Sequence, residues 1–122
     1  LGYMDEDGRI RINGRRKEII IRGGENLSAR EIDDNLVGCP GVGESATIGM
    51  PDDRLGERIC TFVAPLGDTV PTLESVTAYL EGEGVPKRLW PERIEIIDEI
   101  PKTLMGKVRR NVLTDELAAR MA

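Results

Sequence analysis

The sequence predicts an α+β fold: a small N-terminal β-hairpin followed by a compact three-stranded sheet covered by helices. Three observations carry that expectation. Short β-branched runs lie between turn residues, two stretches join a capping residue to apolar side chains at helical spacing, and helices interleave with strands after the first hairpin. At 122 residues there is room for one domain with a modest core, taken as residues 1–122.

Residues 8–21 read as the hairpin. Ile10 and Ile12 alternate with arginines, Asn13-Gly14 supplies a turn, and Ile19-Ile20-Ile21 resumes the extended pattern. Arg22-Gly23-Gly24-Glu25-Asn26 follows as a loop, because paired glycines permit backbone angles that other residues resist. Ser28 and Glu31 have capping-box spacing, so a helix starts at Ser28, with Ile32 and Leu36 on its packed face and Gly38 and Pro40 at its end. Residues 42–50 form a strand with Ala46, Ile48 and Met50 on one face, and Pro51-Asp52-Asp53 turns the chain towards a short helical turn at Leu55. Residues 59–64 are apolar on both faces apart from Thr61, as expected of an interior strand covered on each side. Thr72 caps a second helix that packs through Leu73, Val76 and Leu80. Residues 93–97 give a third strand with Ile94 and Ile96 inward, and residues 111–120 a last helix with Leu113, Leu117 and Met121 in line.

Composition narrows the function. Aromatic residues are only 3% of the chain, so Ile, Val and Leu must fill most of the core. A formal charge of -5 argues against a general nucleic-acid surface. Two local basic patches, Arg15-Arg16-Lys17 with Arg22 and Lys107 with Arg109 and Arg110, suit either a phosphate-bearing ligand or plain solvation. Cys39 and Cys60 lie far apart with no CxxC, which fits inert buried thiols and a reduced, cytoplasmic setting. No run is long and apolar enough for a transmembrane segment, and no signal peptide is visible. The chain opens on Leu-Gly-Tyr, and the expectation is a piece of something longer.

Candidate chemistry is sparse. There is no histidine, the commonest acid/base and metal ligand at neutral pH. No GxxxxGK[ST] phosphate loop occurs, and Gly23-Gly24 lacks dinucleotide-fingerprint spacing. Asp52 and Asp53 read as turn residues, and no metal ligands are assigned. The carboxylate pairs Glu25/Glu31 and Asp98/Glu99 have no identifiable groove, and Trp90 beside Pro91 reads as a packing anchor. Lys107 stands out by position, directly after Gly106 in the irregular segment 98–106. A lysine ammonium is a compact charge on a long stem, able to bridge a carboxylate and a phosphate oxygen. On pattern alone it reads as a solvated surface lysine.

Three blocks in order change that reading. They are Gly14-Arg15-Arg16-Lys17-Glu18-Ile19-Ile20-Ile21-Arg22-Gly23-Gly24-Glu25-Asn26-Leu27-Ser28 with Glu31-Ile32, Gly49-Met50-Pro51-Asp52 with Leu55-Gly56-Glu57, and Pro101-Lys102-Thr103 with Gly106-Lys107. Together they resemble the C-terminal domain of the adenylate-forming enzymes, which include acyl- and aryl-CoA synthetases, peptide-synthetase adenylation domains and luciferases. The resemblance covers essentially the whole chain.

It implies an enzyme that joins a carboxylic acid to ATP with Mg2+, releases pyrophosphate, and then transfers the acyl group to a thiol. The partner would be a larger N-terminal adenylating domain of the same polypeptide, which this chain lacks, so the isolated domain is expected to be essentially inactive. Lys107 would match the lysine that bridges the carboxylate and the α-phosphate. Lys17 would match the hinge, where the family usually has Asp or Lys, and Arg15 the nearby arginine on the nucleotide side. After rotation about that hinge, Arg22, Gly23, Gly24 and Glu25 would border the pantetheine tunnel. Leu104-Met105 depart from the smaller or polar residues frequent before the family's Gly-Lys pair.

The acceptor is the least determined point. Glu83-Gly84-Val85-Pro86-Lys87-Arg88-Leu89-Trp90-Pro91-Glu92-Arg93 resembles CoA ligases of medium-chain, alicyclic or aromatic acids, and Gly56-Glu57-Arg58-Ile59-Cys60 resembles aryl-acid ligases that load the phosphopantetheine of a carrier protein. CoA is the favoured acceptor. The reading from a different class is a non-enzymatic interaction domain.

Overall fold

The computed structural model describes residues 19–121. The expected turn at Asn13-Gly14, and with it Arg15 and Lys17, lies outside the described residues. Strand β1 (Ile19–Arg22) forms the first arm of a described hairpin with β2 (Glu25–Ser28), in register from Ile19 with Ser28 to Arg22 with Glu25. Gly23 and Gly24 are its two turn residues, with φ of 59° and 84°. Two successive positive φ values are what a tight two-residue hairpin demands. The segment read as a loop through Asn26 is therefore half strand. Leu27 explains why, since it is buried with Ile20 across the pair and holds the second arm extended.

Ser28 ends β2 and caps helix α1 (Ala29–Asn35), its hydroxyl accepting from the Glu31 N–H at 3.2 Å. Strands β3 (Val42–Asp52) and β4 (Gly56–Pro65) make a long antiparallel hairpin. Its turn is held by Asp52, whose Oδ2 accepts from the Arg54 and Leu55 N–H groups at 3.0 and 2.8 Å. Helix α2 (Leu73–Gly82) carries a full capping box between Thr72 and Ser75. A short 3-10 turn (Lys87–Leu89) leads to β5 (Arg93–Ile96), and helix α3 (Arg110–Met121) closes the described chain.

β4 is the hub. One edge pairs along its length with β3, and the other takes β5 in parallel and meets β1 at Arg22 and Gly56. The hairpin and the three expected strands thus join into one five-stranded sheet. Both faces of β4 are buried from Ile59 to Ala64, as the unbroken apolar run implied. On one face Met50, Ile48, Ala46, Cys60 and Phe62 pack under Leu113 and Leu117 of α3. On the other, Ile59 and Ile94 lie beneath Ile32 of α1, Leu36 at its C-terminal cap, and Val76 and Leu80 of α2.

Leu73 and Met121, expected on packed faces, are 39% and 53% exposed. Each is the terminal residue of its helix, past the edge of the layer below. Trp90 does anchor, half-buried, with its indole N–H donating to the Val85 carbonyl at 2.8 Å. Both cysteines are free and buried, and burial pushes the Cys60 thiol up to about 12, so the reactive thiolate is suppressed.

One polar contact sits inside the sheet: the Thr47 and Thr61 hydroxyls, both fully buried, lie 2.8 Å apart. Thr61→Val removes the Thr47 hydroxyl's partner across the sheet but leaves it the Asp33 carboxyl, and is expected to cost about 1 kcal/mol. Thr47→Val, which takes a hydrogen-bond partner from Asp33 as well, should cost more than Thr61→Val, as read from urea unfolding midpoints.

Candidate functional site

Lys107 sits on a loop whose shape is closed by its own backbone. Lys102 and Val108 form an antiparallel bridge, the Thr103 N–H donates to the Lys107 carbonyl at 2.8 Å, and the Arg109 N–H donates to Pro101 at 2.8 Å. The Gly106 N–H donates to the Thr103 carbonyl at 2.9 Å, and the Thr103 hydroxyl accepts from the Lys107 N–H at 3.2 Å. Gly106 reverses the chain at φ 85°, which a side chain would resist. The tip, Leu104 and Met105, is 108% and 87% exposed, and Lys107 is exposed beside it. None of the ion pairs among the described residues involves Lys107.

Below this loop lies a buried ion pair. Arg110, the first residue of α3, donates from Nη2 to Asp33 Oδ2 of α1 at 2.9 Å, with side chains only 10% and 15% exposed. Arg110 Nε and Nη1 and Asp33 Oδ1 are buried with no hydrogen-bond partner. Burial pushes the Asp33 carboxyl up to about 6, and the neighbouring Thr47 and Arg110 only partly offset it.

Gly23-Gly24 forms a second exposed loop, held to the β3–β4 turn by the Gly23 N–H donating to the Leu55 carbonyl at 2.8 Å. Its flanking residues are tied into ion pairs. Arg22 donates from Nε and Nη2 to the two Glu92 oxygens, each at 2.9 Å, and Arg88 donates to Glu25 at 3.1 Å. Glu92 also accepts from the Ile59 N–H at 3.0 Å, and the Arg22 guanidinium holds its carboxyl below the usual carboxylate range. Beside the turn is an open cleft of about 350 Å³, with Trp90 under Lys87, whose ammonium is 5.8 Å from the ring centre.

The sequence-assigned residues therefore fall in two groups. Arg22, Gly23, Gly24 and Glu25 sit at the Asp52 end of β3, and Lys107 sits near its Glu44 end, where Lys102 pairs with Glu44. Eight residue steps along the strand separate Glu44 from Asp52, which at about 3.3 Å per step is roughly 25 Å. A single pose cannot bring both loops to one small reaction centre.

Residues 31–107 match the family described as the AMP-binding enzyme C-terminal domain, and the chain belongs to that family. Within it, the chain is a C-terminal domain of the acyl- and aryl-CoA ligase group. It is 40% identical over 121 residues to the medium-chain fatty-acid–CoA ligase of Escherichia coli (strain K12), a match covering 97% of this chain and 21% of that protein. It is 35% identical over 118 residues to the 2,3-dihydroxybenzoate-AMP ligase of Bacillus subtilis (strain 168), covering 97% of this chain and 22% of that one. The apo structure of MbtA from Mycobacterium smegmatis superposes with a TM-score of 0.75 at 34% identity, over 82% of this chain and 19% of that one. The chain spans about a fifth of the length of the curated relatives it matches.

Two structural partners escaped the sequence reading. In sequence Arg110 reads as part of a basic patch, yet it precedes buried Leu113 by three residues and so falls on the packed side of α3. Glu92 gave no signal of its own, because its role depends on the long-range approach of Arg22 and Ile59.

The raised Asp33 pKa fixes a sign. Between the ordinary aspartate value and about 6, folded Asp33 holds a proton that the unfolded chain has released. Stability should therefore fall as pH rises from about 4 to about 6. Asp33→Asn should flatten that slope in urea unfolding run across the same range. The lowered groups Asp52, Glu92 and Glu95 act in the opposite sense, below the ordinary carboxylate values.

Proposed function

We propose that residues 1–122 are the mobile C-terminal lid of an ATP-dependent carboxylic acid–CoA ligase, working against an N-terminal adenylating domain of the same polypeptide. The carrying observation is the placement of the Lys107 loop and the Gly23-Gly24 turn at opposite ends of β3. A rotation of the whole domain, about a hinge assigned to Lys17 with Arg15 beside it, would present the two loops in succession.

In the first posture Lys107 bridges the acid's carboxylate and the α-phosphate of ATP. Attack of carboxylate oxygen on phosphorus brings two anions together, and a fixed ammonium offsets that repulsion without taking up a proton. Pyrophosphate leaves and an acyl adenylate remains. In the second posture the backbone of Gly23 and Gly24, with Arg22 and Glu25 at its flanks, borders the channel for pantetheine, whose thiol displaces AMP. The Mg2+ that accompanies ATP belongs to the reaction of the full-length enzyme, and no residue of this chain is assigned to it.

The acid follows the same line of support. The similarity to a medium-chain fatty-acid–CoA ligase favours a hydrophobic acid and CoA as acceptor. The match to a 2,3-dihydroxybenzoate-AMP ligase over the same share of the chain supports, as second reading, an aryl acid passed to a carrier-protein phosphopantetheine. Parallel transfer assays with CoA and with a phosphopantetheinylated carrier separate the two.

The test divides the reaction in half. In the full-length enzyme, Lys107→Ala should lower acid-dependent pyrophosphate exchange on the order of 10²- to 10³-fold. Thioester formation from supplied acyl adenylate should stay within a few-fold. Equal losses in both halves would sink the lysine's assignment. Gly24→Asn should do the reverse. A Cβ there meets nothing within 4 Å, so the cost to the fold is confined to the strain of a side chain at φ 84°, which asparagine bears better than most residues. Thiol transfer should slow on the order of 10- to 100-fold, and an unimpaired transfer step counts against the tunnel role.

A further inference from the structure

We propose that the buried Asp33–Arg110 pair is a strut that fixes where the Lys107 loop points, making both side chains positioning residues for the lysine. The catalytic consequence rests on the adenylation role proposed above, while the mechanical claim stands on geometry alone.

The internal hydrogen bonds of the loop define its shape and not its direction. Direction comes from its two feet. At the first, Ile100 is 2% exposed in the core beneath α3, and Lys102 pairs with Glu44. That pair is 38% and 48% exposed, so solvent screens it and it holds little. At the second foot Val108 is only half-buried, and the deep apolar anchors of α3 do not begin until Leu113. Between them Arg110 is the directional contact, three residues from Lys107 and pinned at 2.9 Å to α1.

The pair's chemistry points to position rather than stability. Two Arg110 nitrogens and one Asp33 oxygen are buried without partners, so the contact is a single bond and not a bidentate fork. A half-satisfied buried pair is commonly no better than an apolar pair of similar size. What it adds is a fixed distance and angle between two elements. Asp33 stands on α1, which continues directly from β2 and the glycine turn. The strut therefore ties the lysine loop to the element that carries the other functional loop, so that both turn as one body.

The experiment uses the full-length enzyme, with amide hydrogen exchange followed by mass spectrometry on peptides covering residues 101–109. Arg110→Met should raise exchange there about tenfold, and Asp33→Leu with Arg110→Met should restore the melting temperature without restoring protection. Arg110→Lys, which can still reach Asp33, should recover part of it. Pyrophosphate exchange should fall with the lost protection while thiol transfer from supplied adenylate stays within twofold. Unchanged exchange at 101–109 in Arg110→Met overturns the strut. So does exchange that rises across the whole sheet, with both half-reactions falling together and both recovering in the apolar double variant. Local loss of protection with normal pyrophosphate exchange, in Arg110→Met and in Lys107→Ala alike, supports the strut and overturns the role given to Lys107.

Discussion

The burial of β4 on both faces is the constraint from which the rest of the domain follows. A strand covered on each side cannot alternate polar and apolar residues, and from Ile59 to Ala64 only Thr61 interrupts the apolar run. That exception is met by Thr47 directly opposite on β3, so the interior is satisfied without a charge. With both faces occupied, helices must sit above and below, and both edges of β4 are free to recruit strands. β3 takes one edge along its full length, while β5 and the tip of β1 share the other. The long β3–β4 hairpin then becomes a rigid beam, and its length sets the distance between the two exposed loops.

Charge is handled differently at the two ends of that beam. At the glycine turn, Arg22, Arg58 and Arg88 are exposed or half-exposed and lean on Glu92, Asp52 and Glu25. Glu92 is the centre of that group, since it joins β1 through Arg22 to the backbone of β4 through Ile59. Solvent access keeps each of these contacts adjustable. At the lysine end the contact that matters is buried and single, and the Asp33 carboxyl is pushed up rather than down because burial outweighs Arg110. One end is therefore a screened polar surface, and the other a dry joint beneath an exposed loop.

Much of this was legible in the sequence, and the exceptions have physical causes. Ser28, Thr72 and the 42–50, 59–64 and 93–97 runs read correctly because caps and apolar periodicity are local signals. The pairing of Gly23-Gly24 as a hairpin turn was missed, because Glu25 and Asn26 carry no strand preference and are held extended by Leu27 packing on Ile20. The Lys107 loop was placed correctly in an irregular segment, but nothing local discloses that Arg110 turns inward, 77 residues from its partner. Long-range ion pairs leave no periodic trace. The union of the hairpin with the other strands is equally hidden, since its strand pairing is a single position, Arg22 with Gly56, supported by long-range contacts such as Gly23 with Leu55.

A lid of this kind needs stiffness inside and freedom outside. The attraction between an ammonium and an anion 4 Å away is about 1 kcal/mol in water and several-fold larger where water is partly excluded. In the role proposed above, Lys107 on its exposed loop would be a weak reagent until it is carried into an enclosed site at a fixed angle. The exposed Leu104 and Met105 give the loop tip an apolar surface, which would lower the cost of that proposed entry. Backbone closure of the loop, the buried joint at Arg110 and the beam of β3 and β4 all reduce the ways the ammonium can miss. In the rotation proposed above, every degree of freedom removed inside the domain would leave more of the motion to the whole, which one hinge could control.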